Sequence, residues 1–363
     1  MQAQDFKNTS YYVALEEKYG AHNYHPLPVV IERGQGVYLY DVEGKQYFDF
    51  LSGYSAVNQG HCHPAIIKAM TEQASKLTLT SRAFYNNQLG EYEQFITNYF
   101  GYDKVLPMNT GVEAGETAIK LSRRWGYEVK KIPHNEAIII FAEGNFWGRT
   151  IAAISSSTDP SSYTNFGPFV PGFSLVPFND LVALEAAFKN NNVAGFMLEP
   201  IQGEEGIIVP SVDFLKKVRA ICDQHNILLA FDEVQCGMGR TGHLFAYQHF
   251  GVLPDIVSTA KAIAGGFPLG ACLTSKKVGS TMTVGVHGTT YGGNPLAMAV
   301  ADAVLTVIMG DGFLDNVREC GKILKLELEN LKTKYPNIIE EVIGVGLMLG
   351  IKINQNYEVS EVV

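Results

Sequence analysis

The segment DIVSTAKAIAGGFPLG, residues 255–270, places a lysine directly after a short apolar run and shortly before two glycines. In α/β proteins, ligands bind in the crevice at the ends of such strands. Lys261 is the lysine of this segment, and at such a position its amine can form a Schiff base with a carbonyl cofactor. A solvated lysine at the end of a strand is the alternative, so the rest of the sequence has to distinguish the two.

Other apolar runs in the chain predict an α/β fold. AIIIFAEG begins at residue 137, VAGFMLEP at 193 and ILLAFDEV at 227. Because these runs are apolar throughout, they indicate strands that are buried on both faces. Helices are predicted between them over residues 181–189, behind Asp180, and 212–225, behind Ser211. Strands that alternate with helices predict a mostly parallel sheet covered on both sides.

The composition favours small-molecule substrates. The chain has 363 residues, 46% of them apolar, and a net charge of -9, which argues against nucleic acid or an anionic membrane as a partner. The longest apolar run, which begins at Leu296, is too short to span a bilayer. Five cysteines without a CxxC pair, and a start without an apolar leader pattern, predict a reducing and cytoplasmic location.

Two further positions point to the same crevice as Lys261. Asn109, Thr110 and Gly111 lead into a helix whose free N–H groups can bind a phosphate, although on this segment alone an ordinary capped helix is the favoured interpretation, because such N-caps are common. Asp232 follows an apolar strand, where it can cap the next segment or bind a protonated ring nitrogen. Two unit charges about 4 Å apart contribute about 4 kcal/mol at an effective dielectric constant of about 20, enough to keep a pyridine nitrogen protonated.

A phosphate site, a buried carboxylate and a strand-end lysine are the three fixed points that pyridoxal 5'-phosphate needs. Adjacent parallel strands would bring Asp232 and Lys261 to one edge of the sheet. A dehydrogenase fits less well, because no GxGxxG motif opens a helix directly after a strand. The residues themselves therefore favour pyridoxal phosphate as the cofactor.

Over essentially its whole length the sequence resembles the class-III ω-aminotransferases, pyridoxal-phosphate enzymes of fold type I. The segments that carry the resemblance include GVYLYDVEGKQYFDFLSGYSAVNQGHCHP, PMNTGVEAGETA, LLAFDEVQCGMGRTG and HGTTYGGNPLAMAV. The first half is most similar to ornithine aminotransferases, and the later part is closer to bacterial acetylornithine aminotransferases. The resemblance implies a large α/β domain with a mostly parallel sheet and a smaller α+β domain.

The resemblance also implies which residues hold the cofactor. Lys261 would be the Schiff-base lysine and proton carrier, and Asp232 would be the partner of the pyridine nitrogen. Gly111 and Val112 would bind the phosphate through their backbone N–H groups. These assignments agree with the interpretation of the residues themselves.

Three more residues around the cofactor follow from the resemblance. Phe146 would stack on the cofactor ring, and Gln235 would reach its phenolic oxygen. Thr290 would touch the phosphate bound by the neighbouring subunit, although it could also be a turn residue ahead of the next helix. A site completed by a second subunit implies a homodimer.

Four residues are candidates for substrate binding. Ornithine and glutamate must use one site in turn, so the pocket needs an arginine for carboxylates and a group that holds it when the substrate changes. The resemblance matches these roles to Arg149 and Glu204, which could otherwise form surface ion pairs. Tyr24 and Tyr54 can hydrogen-bond the free α-end of ornithine, or simply pack as aromatics. Acetylornithine enzymes usually carry an aliphatic residue at the position of Tyr54.

The domain prediction follows the family pattern. Residues 1–45 are expected to contribute to the small domain, 46–300 to form the large cofactor-binding domain, and 301–363 to form an incomplete C-terminal small domain. Family members continue this domain and carry there another arginine, which receives the α-carboxylate of 2-oxoglutarate. Without the rest of this domain, the apolar segment GLMLGIKI is expected to be an unpaired edge. GGFPLG, after Lys261, is also one residue shorter than in ornithine enzymes.

Three functions remain open at this point. The favoured one transfers the δ-amino group of L-ornithine to 2-oxoglutarate and yields glutamate 5-semialdehyde and glutamate. The second uses N-acetylornithine instead, and the third is a non-catalytic chain that keeps the dimer surface. The motif HCHP, residues 61–64, offers only two local histidines, so packing is a better interpretation than a metal site and no metal is expected.

Overall fold

The computed structural model describes residues 7–357, which form three β-sheets and the helices around them. The strands are β1 (Ile31–Gln35), β2 (Tyr38–Asp41), β3 (Gln46–Phe48), β4 (Lys104–Met108), β5 (Ile138–Ala142), β6 (Phe173–Val176), β7 (Val193–Leu198), β8 (Leu228–Asp232), β9 (Ile256–Thr259), β10 (Gly270–Thr274), β11 (Ile339–Val345) and β12 (Met348–Ile353). The helices are α1 (Thr9–Tyr19), α2 (Ser52–Ser55), α3 (Pro64–Ala74), α4 (Leu89–Phe100), α5 (Gly111–Glu128), α6 (Ile151–Ile154), α7 (Pro160–Tyr163), α8 (Leu181–Phe188), α9 (Val212–Gln224), α10 (Tyr247–Phe250), α11 (Lys276–Gly279), α12 (Pro295–Ile308) and α13 (Phe313–Lys334). A 3-10 turn spans Lys261–Ala264.

The central sheet has seven strands in the order β4-β10-β9-β8-β7-β5-β6. Only β10 runs antiparallel to its neighbours, so six strands point in one direction. The predicted mostly parallel sheet is confirmed. The apolar runs that begin at residues 137, 193 and 227 form β5, β7 and β8, and the run before Lys261 forms β9.

Burial on both faces explains why these strands are apolar throughout. Every residue of β7, β8, β9 and β10 is buried. Alternate residues along a strand point to opposite faces, and in β8 Leu229 and Phe231 join one apolar cluster while Leu228 and Ala230 join the other. Helices α5 and α12 lie in these two clusters on opposite faces, so each face of the sheet has its own core.

Side-chain caps define where the helices begin. Asp180 accepts hydrogen bonds at the start of α8, Ser211 at the start of α9 and Asn294 at the start of α12. The predicted helices 181–189 and 212–225 are observed as Leu181–Phe188 and Val212–Gln224, a difference of one residue at each C-terminus. Local cap chemistry is therefore sufficient to position these helices.

Two smaller sheets flank the central one in sequence. Strands β1, β2 and β3 form an antiparallel sheet near the N-terminus, and β11 and β12 form a hairpin that packs on α13. β12, which contains most of the GLMLGIKI segment, pairs with β11 and with no other strand among residues 7–357. The predicted domain boundaries stay a prediction.

No single helix within residues 7–357 has both the length and the apolar composition of a membrane span. Helices α12 and α13 reach that composition only when taken together across a bend of 63°. α12 itself lies in the protein core, where eight of its residues are buried.

Candidate active site

A cavity of about 360 Å³ opens at the edge of the central sheet where its parallel strands end. Segments that follow β4, β5, β7, β8 and β9 all contribute to its wall. In an open parallel sheet this edge is where ligands bind, because loops and helix N-termini converge there. The sequence had placed Asp232 and Lys261 at this edge, and both side chains line the cavity.

Lys261 reaches the cavity from an unusual backbone position. β9 ends at Thr259, and Lys261 opens the 3-10 turn with a φ of +49°. A lysine in the left-handed region is uncommon, and such residues concentrate at functional sites. The register pairs Asp232 of β8 with Ser258 of β9, three residues before Lys261. The adjacent parallel strands therefore bring Lys261 and Asp232 to one place, as predicted.

The Asp232 carboxylate is buried, with 3% of the residue exposed. One oxygen, Oδ1, accepts a hydrogen bond of 2.9 Å from the Val234 N–H. The other, Oδ2, has no hydrogen-bond partner among the residues that the structure describes. Burial raises the pKa of Asp232 to about 6, while the Val234 N–H, the Lys261 charge and the nearby Ser258 hydroxyl act in the opposite direction. The site thus holds a buried acceptor that a cationic N–H would satisfy.

The start of α5 forms another wall of the cavity. Thr110 is the N-cap, and the Glu113 carboxylate accepts from the Asn109 N–H at 2.7 Å and the Thr110 N–H at 3.1 Å. The next two N–H groups, of Gly111 and Val112, belong to the first turn and have no intrahelical acceptor. Both residues line the cavity, so these donors and the helix dipole favour an anion there.

Glu199 is a cavity residue that the sequence analysis missed. It directly follows β7, is 4% exposed, and lines the cavity beside Asp232. Its carboxylate accepts from the Phe146 N–H at 3.1 Å and the Gly203 N–H at 3.3 Å. Burial, and then the Asp232 charge, raise the pKa of Glu199 to about 8. An acidic residue directly after an apolar strand was the available signal, and it is the same signal that identified Asp232.

Phe146 and Gln235 line the cavity as predicted. Gln235 lies close against Gly203, where an added Cβ atom would come within 1.7 Å of the Gln235 Oε1 atom. The Gln235 Nε2 atom donates a hydrogen bond of 3.2 Å to Oε1 of Glu204, which is exposed. The turn after Glu199 therefore determines where the Gln235 amide lies.

Five of the predicted residues do not line the cavity: Tyr24, Tyr54, Arg149, Glu204 and Thr290. Tyr24 is 73% exposed, in the segment between α1 and β1. The Arg149 guanidinium lies 5.5 Å from the Phe146 ring centroid and forms no salt bridge with a described carboxylate. Thr290 is exposed on the segment before α12. The residues therefore divide into a buried cofactor-sized centre and an open periphery.

Tyr54 lies two residues from Ala56, which does line the cavity. It belongs to the α2 turn, has a φ of +57° and is 54% exposed. The Arg240 guanidinium donates to the Ser52 Oγ atom at 3.2 Å, and the α2 turn packs against the 3-10 turn that begins at Lys261. The turn that carries Tyr54 is thus fixed next to the Lys261 turn.

The HCHP motif lies away from the cavity wall. The His61 Nε2 atom is 2.6 Å from an oxygen of Asp49, so the ring pairs with a carboxylate. Within residues 7–357 there is no group of three or more His, Cys, Asp or Glu residues arranged to hold a metal ion.

Comparison with known proteins agrees with this geometry. A model of the family described as aminotransferase class-III matches residues 19–363. The mitochondrial ornithine aminotransferase of Drosophila ananassae is 56% identical over 346 residues, which are 95% of this chain and 79% of that protein. The mitochondrial enzyme of Rattus norvegicus is 56% identical over 349 residues, 96% of this chain and 79% of that one.

Solved structures give the same result. The crystal structure of the ornithine aminotransferase from Toxoplasma gondii has a TM-score of 0.94 at 44% identity, over 96% of this chain and 83% of that chain. The acetylornithine aminotransferase from Elizabethkingia anophelis has a TM-score of 0.86 at 48% identity, over 96% of this chain and 85% of that chain. The resemblance inferred from the motifs, and with it fold type I, is confirmed. This chain belongs to the class-III aminotransferase family.

Proposed function

We propose that this protein is an ornithine δ-aminotransferase that binds pyridoxal 5'-phosphate in the cavity at the strand ends. It transfers the δ-amino group of L-ornithine to 2-oxoglutarate, which yields glutamate 5-semialdehyde and glutamate. The observation that carries the proposal is the convergence of Lys261, Asp232 and the start of α5 on one cavity. Relatives of 50–56% identity named ornithine aminotransferase support this substrate.

The residues present fit the cofactor at three points. The unpartnered Oδ2 atom of buried Asp232 suits a protonated ring nitrogen. The Gly111 and Val112 N–H groups at the start of an 18-residue helix suit a phosphate. Lys261, on the cavity wall, supplies the amine. When bound, pyridoxal phosphate supplies an aldehyde that condenses with amines and a ring that takes up electrons from the carbon that loses a proton.

Each of the main residues that line the cavity then has a specific task. Lys261 would hold the cofactor through its amine and, when that amine is free, would move the proton at the δ-carbon of the substrate. Asp232 stays ionised beside the ring N–H, because a cation at Oδ2 opposes the effect of burial. Phe146 would stack on the cofactor ring, and Gln235 would hydrogen-bond the phenolic oxygen of the cofactor. Trp147, also on the wall, excludes water beside Phe146.

Substrate carboxylates are assigned to the open periphery of the site. Arg149 lies over Phe146 and has no salt bridge to a carboxylate within residues 7–357, so it is available to bind an acidic substrate. Glu204, which accepts from Gln235, is the candidate to hold an arginine between half-reactions. Tyr54, next to the Lys261 turn, is the candidate to recognise the unmodified α-end of ornithine. Tyr24 is assigned the same task from the N-terminal segment.

The proposal includes a homodimer. Thr290 is exposed and does not line the cavity of its own subunit, as expected of a residue that serves a neighbouring subunit. The domain division at residues 45 and 300 belongs to the same proposal, with the large domain as the cofactor-binding unit. A cytoplasmic location stays a prediction, and several of the relatives are named as mitochondrial.

The test is to record the visible absorption of the protein loaded with pyridoxal phosphate, before and after adding L-ornithine or N-acetylornithine. Loss of the lysine-linked band with ornithine, together with formation of glutamate 5-semialdehyde, is the expected result. Loss of this band with N-acetylornithine alone would show that the acetylated amine is the substrate. A protein that binds the cofactor but reacts with neither amine would contradict the proposed activity.

A further inference from the structure

The segment from residue 283 to residue 293, called here the 283–293 loop, is attached to α5 mainly through His287, and at its start the Arg124 guanidinium of α5 also donates to the Thr283 Oγ1 atom at 3.2 Å. The ring of His287 uses both of its nitrogens: Nε2 lies 3.0 Å from the Thr117 Oγ1 atom, and Nδ1 lies 2.8 Å from the Lys120 Nζ atom. Lys120 also donates to the Val286 carbonyl at 3.3 Å. Next to it in the loop, the Thr289 Oγ1 atom accepts from the Asn109 Nδ2 atom at 3.1 Å.

The direction of each hydrogen bond follows from which groups can donate. The Lys120 ammonium has only donors, so the Nδ1 atom of His287 must be an acceptor without a proton. The Thr117 hydroxyl donates its single proton to the Glu113 carbonyl at 2.7 Å, so it accepts from the Nε2 atom of His287. The contacts are therefore satisfied together only by a neutral ring that carries its proton on Nε2.

We infer that His287 is a positioning residue that, as the neutral Nε2-protonated tautomer, clamps the 283–293 loop to α5 and so holds Thr290 toward the cofactor phosphate of a second subunit. This inference rests on the proposed function, since Thr290 has that role only in the proposed homodimer. The same helix α5 contributes Gly111 and Val112 to the phosphate site of its own subunit. One helix would thus position phosphate contacts for both sites of the dimer.

Protonation of His287 would break this clamp. A proton on Nδ1 would face the Lys120 ammonium, with two donors and two positive charges 2.8 Å apart. Burial, and then Lys120, lower the pKa of His287, while Glu113 and Glu116 on the same helix act in the opposite direction. A base whose folded-state pKa is lowered contributes stability that is fully present above its ordinary pKa of 6.5 and is lost as the pH falls through the lowered pKa.

The test compares the wild type with His287→Asn, which keeps an acceptor near Lys120 but cannot titrate. His134→Asn, at an exposed histidine outside the clamp, is the matched control. The dissociation constant of pyridoxal phosphate is measured at about pH 8 and about pH 5.5. We expect the wild type to bind about tenfold more tightly than His287→Asn at the higher pH, and we expect this advantage to shrink at the lower pH, because the His287 ring gains protons as the pH falls toward its lowered pKa.

Pyridoxal, which lacks the phosphate, is the second probe. His287→Asn should leave its affinity unchanged at both pH values, because the loop acts only on the phosphate. A wild-type advantage that is the same at both pH values, or one that extends equally to pyridoxal, would overturn the inference. Equal affinity of the wild type and His287→Asn for pyridoxal phosphate at the higher pH would also overturn it.

Hydrogen exchange in the cofactor-free protein separates this inference from the proposed function. After correction for intrinsic rates, the 283–293 loop should exchange faster at the lower pH in the wild type and at one constant, faster rate in His287→Asn. Exchange that is independent of pH in both proteins would contradict the clamp. Absence of cofactor binding at any pH, with the exchange behaviour as expected, would contradict the proposed function alone.

Discussion

Glu199 and Asp232 lie side by side at the ends of two adjacent parallel strands. The register pairs Leu198 of β7 with Phe231 of β8, so the next residue on each strand is a buried carboxylic acid. Burial raises both pKa values above the ordinary range, and the Asp232 charge raises the pKa of Glu199 further. Because these two buried acids line one cavity, the number of protons bound there changes over the neutral pH range.

The first prediction concerns stability against pH in the cofactor-free protein. Glu199 has an ordinary pKa of 4.5 and a folded-state pKa of about 8. An acid with a raised pKa stabilises the folded state fully below its ordinary pKa, and this stabilisation is lost as the pH rises through the folded value. The free energy of unfolding should therefore fall between about pH 5 and pH 8, and it should fall less in Glu199→Gln.

Urea titrations at several pH values measure this difference. Glu143→Gln is the matched control, because Glu143 follows the apolar strand β5 but is exposed. The control should show the pH dependence of the wild type. Identical pH dependence in Glu199→Gln and the wild type would mean that Glu199 does not hold the proton.

The second prediction is that Asp232→Asn lowers turnover by about two to three orders of magnitude, since about 4 kcal/mol of charge pairing with the ring nitrogen is lost. Single-turnover rates with L-ornithine measure the loss separately from cofactor binding. Asp180→Asn serves as the control, because asparagine also caps a helix. A loss below tenfold in Asp232→Asn would show that this carboxylate does not keep the ring nitrogen protonated.

The third prediction concerns specificity at Tyr54. Tyr54→Ile should lower kcat/KM for L-ornithine by about tenfold, which corresponds to one hydrogen bond, and should leave N-acetylornithine turnover nearly unchanged. Steady-state kinetics with both amines measure the split. Tyr99→Ile, at a partly exposed tyrosine on α4, controls for a general loss of packing. Equal losses for both substrates would remove Tyr54 from substrate recognition.

The fourth prediction tests whether the site is shared between subunits. Thr290→Glu should abolish activity, because a carboxylate repels the partner's phosphate, and Lys261→Ala should abolish it by removing the amine. In a mixed dimer one site has both native residues, so mixing the two inactive proteins should restore about a quarter of the wild-type activity. The measurement is the aminotransferase activity after the two proteins have exchanged subunits. No recovery despite mixed dimers would place Thr290 and Lys261 in the same subunit's site.

Much of the fold could be predicted because its signals are local. The strands that end at Asp232 and before Lys261 are short apolar runs, and helix starts at Ser211 and Asn294 have side-chain caps. Parallel pairing then brings the strand ends together without further information. These features place Lys261, Asp232 and Gly111 correctly around one cavity.

Other parts of the site depend on contacts between distant segments, which no local pattern encodes. An acid after an apolar strand is a local signal for Glu199, but that signal does not show that the Phe146 N–H, from a loop 53 residues away, donates to the Glu199 carboxylate. The tautomer of His287 is determined by Lys120, 167 residues earlier in the chain. Tyr54 lies beside the Lys261 turn because the α2 turn packs there, which its own sequence does not indicate.

The most direct test of the central claim is to identify the lysine that holds the cofactor. The protein is loaded with pyridoxal phosphate, reduced with borohydride so that the cofactor stays on the lysine to which it is joined, and mapped by peptide mass spectrometry. The account predicts one modified peptide, with the label on Lys261, and no label after prior conversion to the amino form with L-ornithine. A label on another lysine, or a label on Lys261 that ornithine does not prevent, would contradict it.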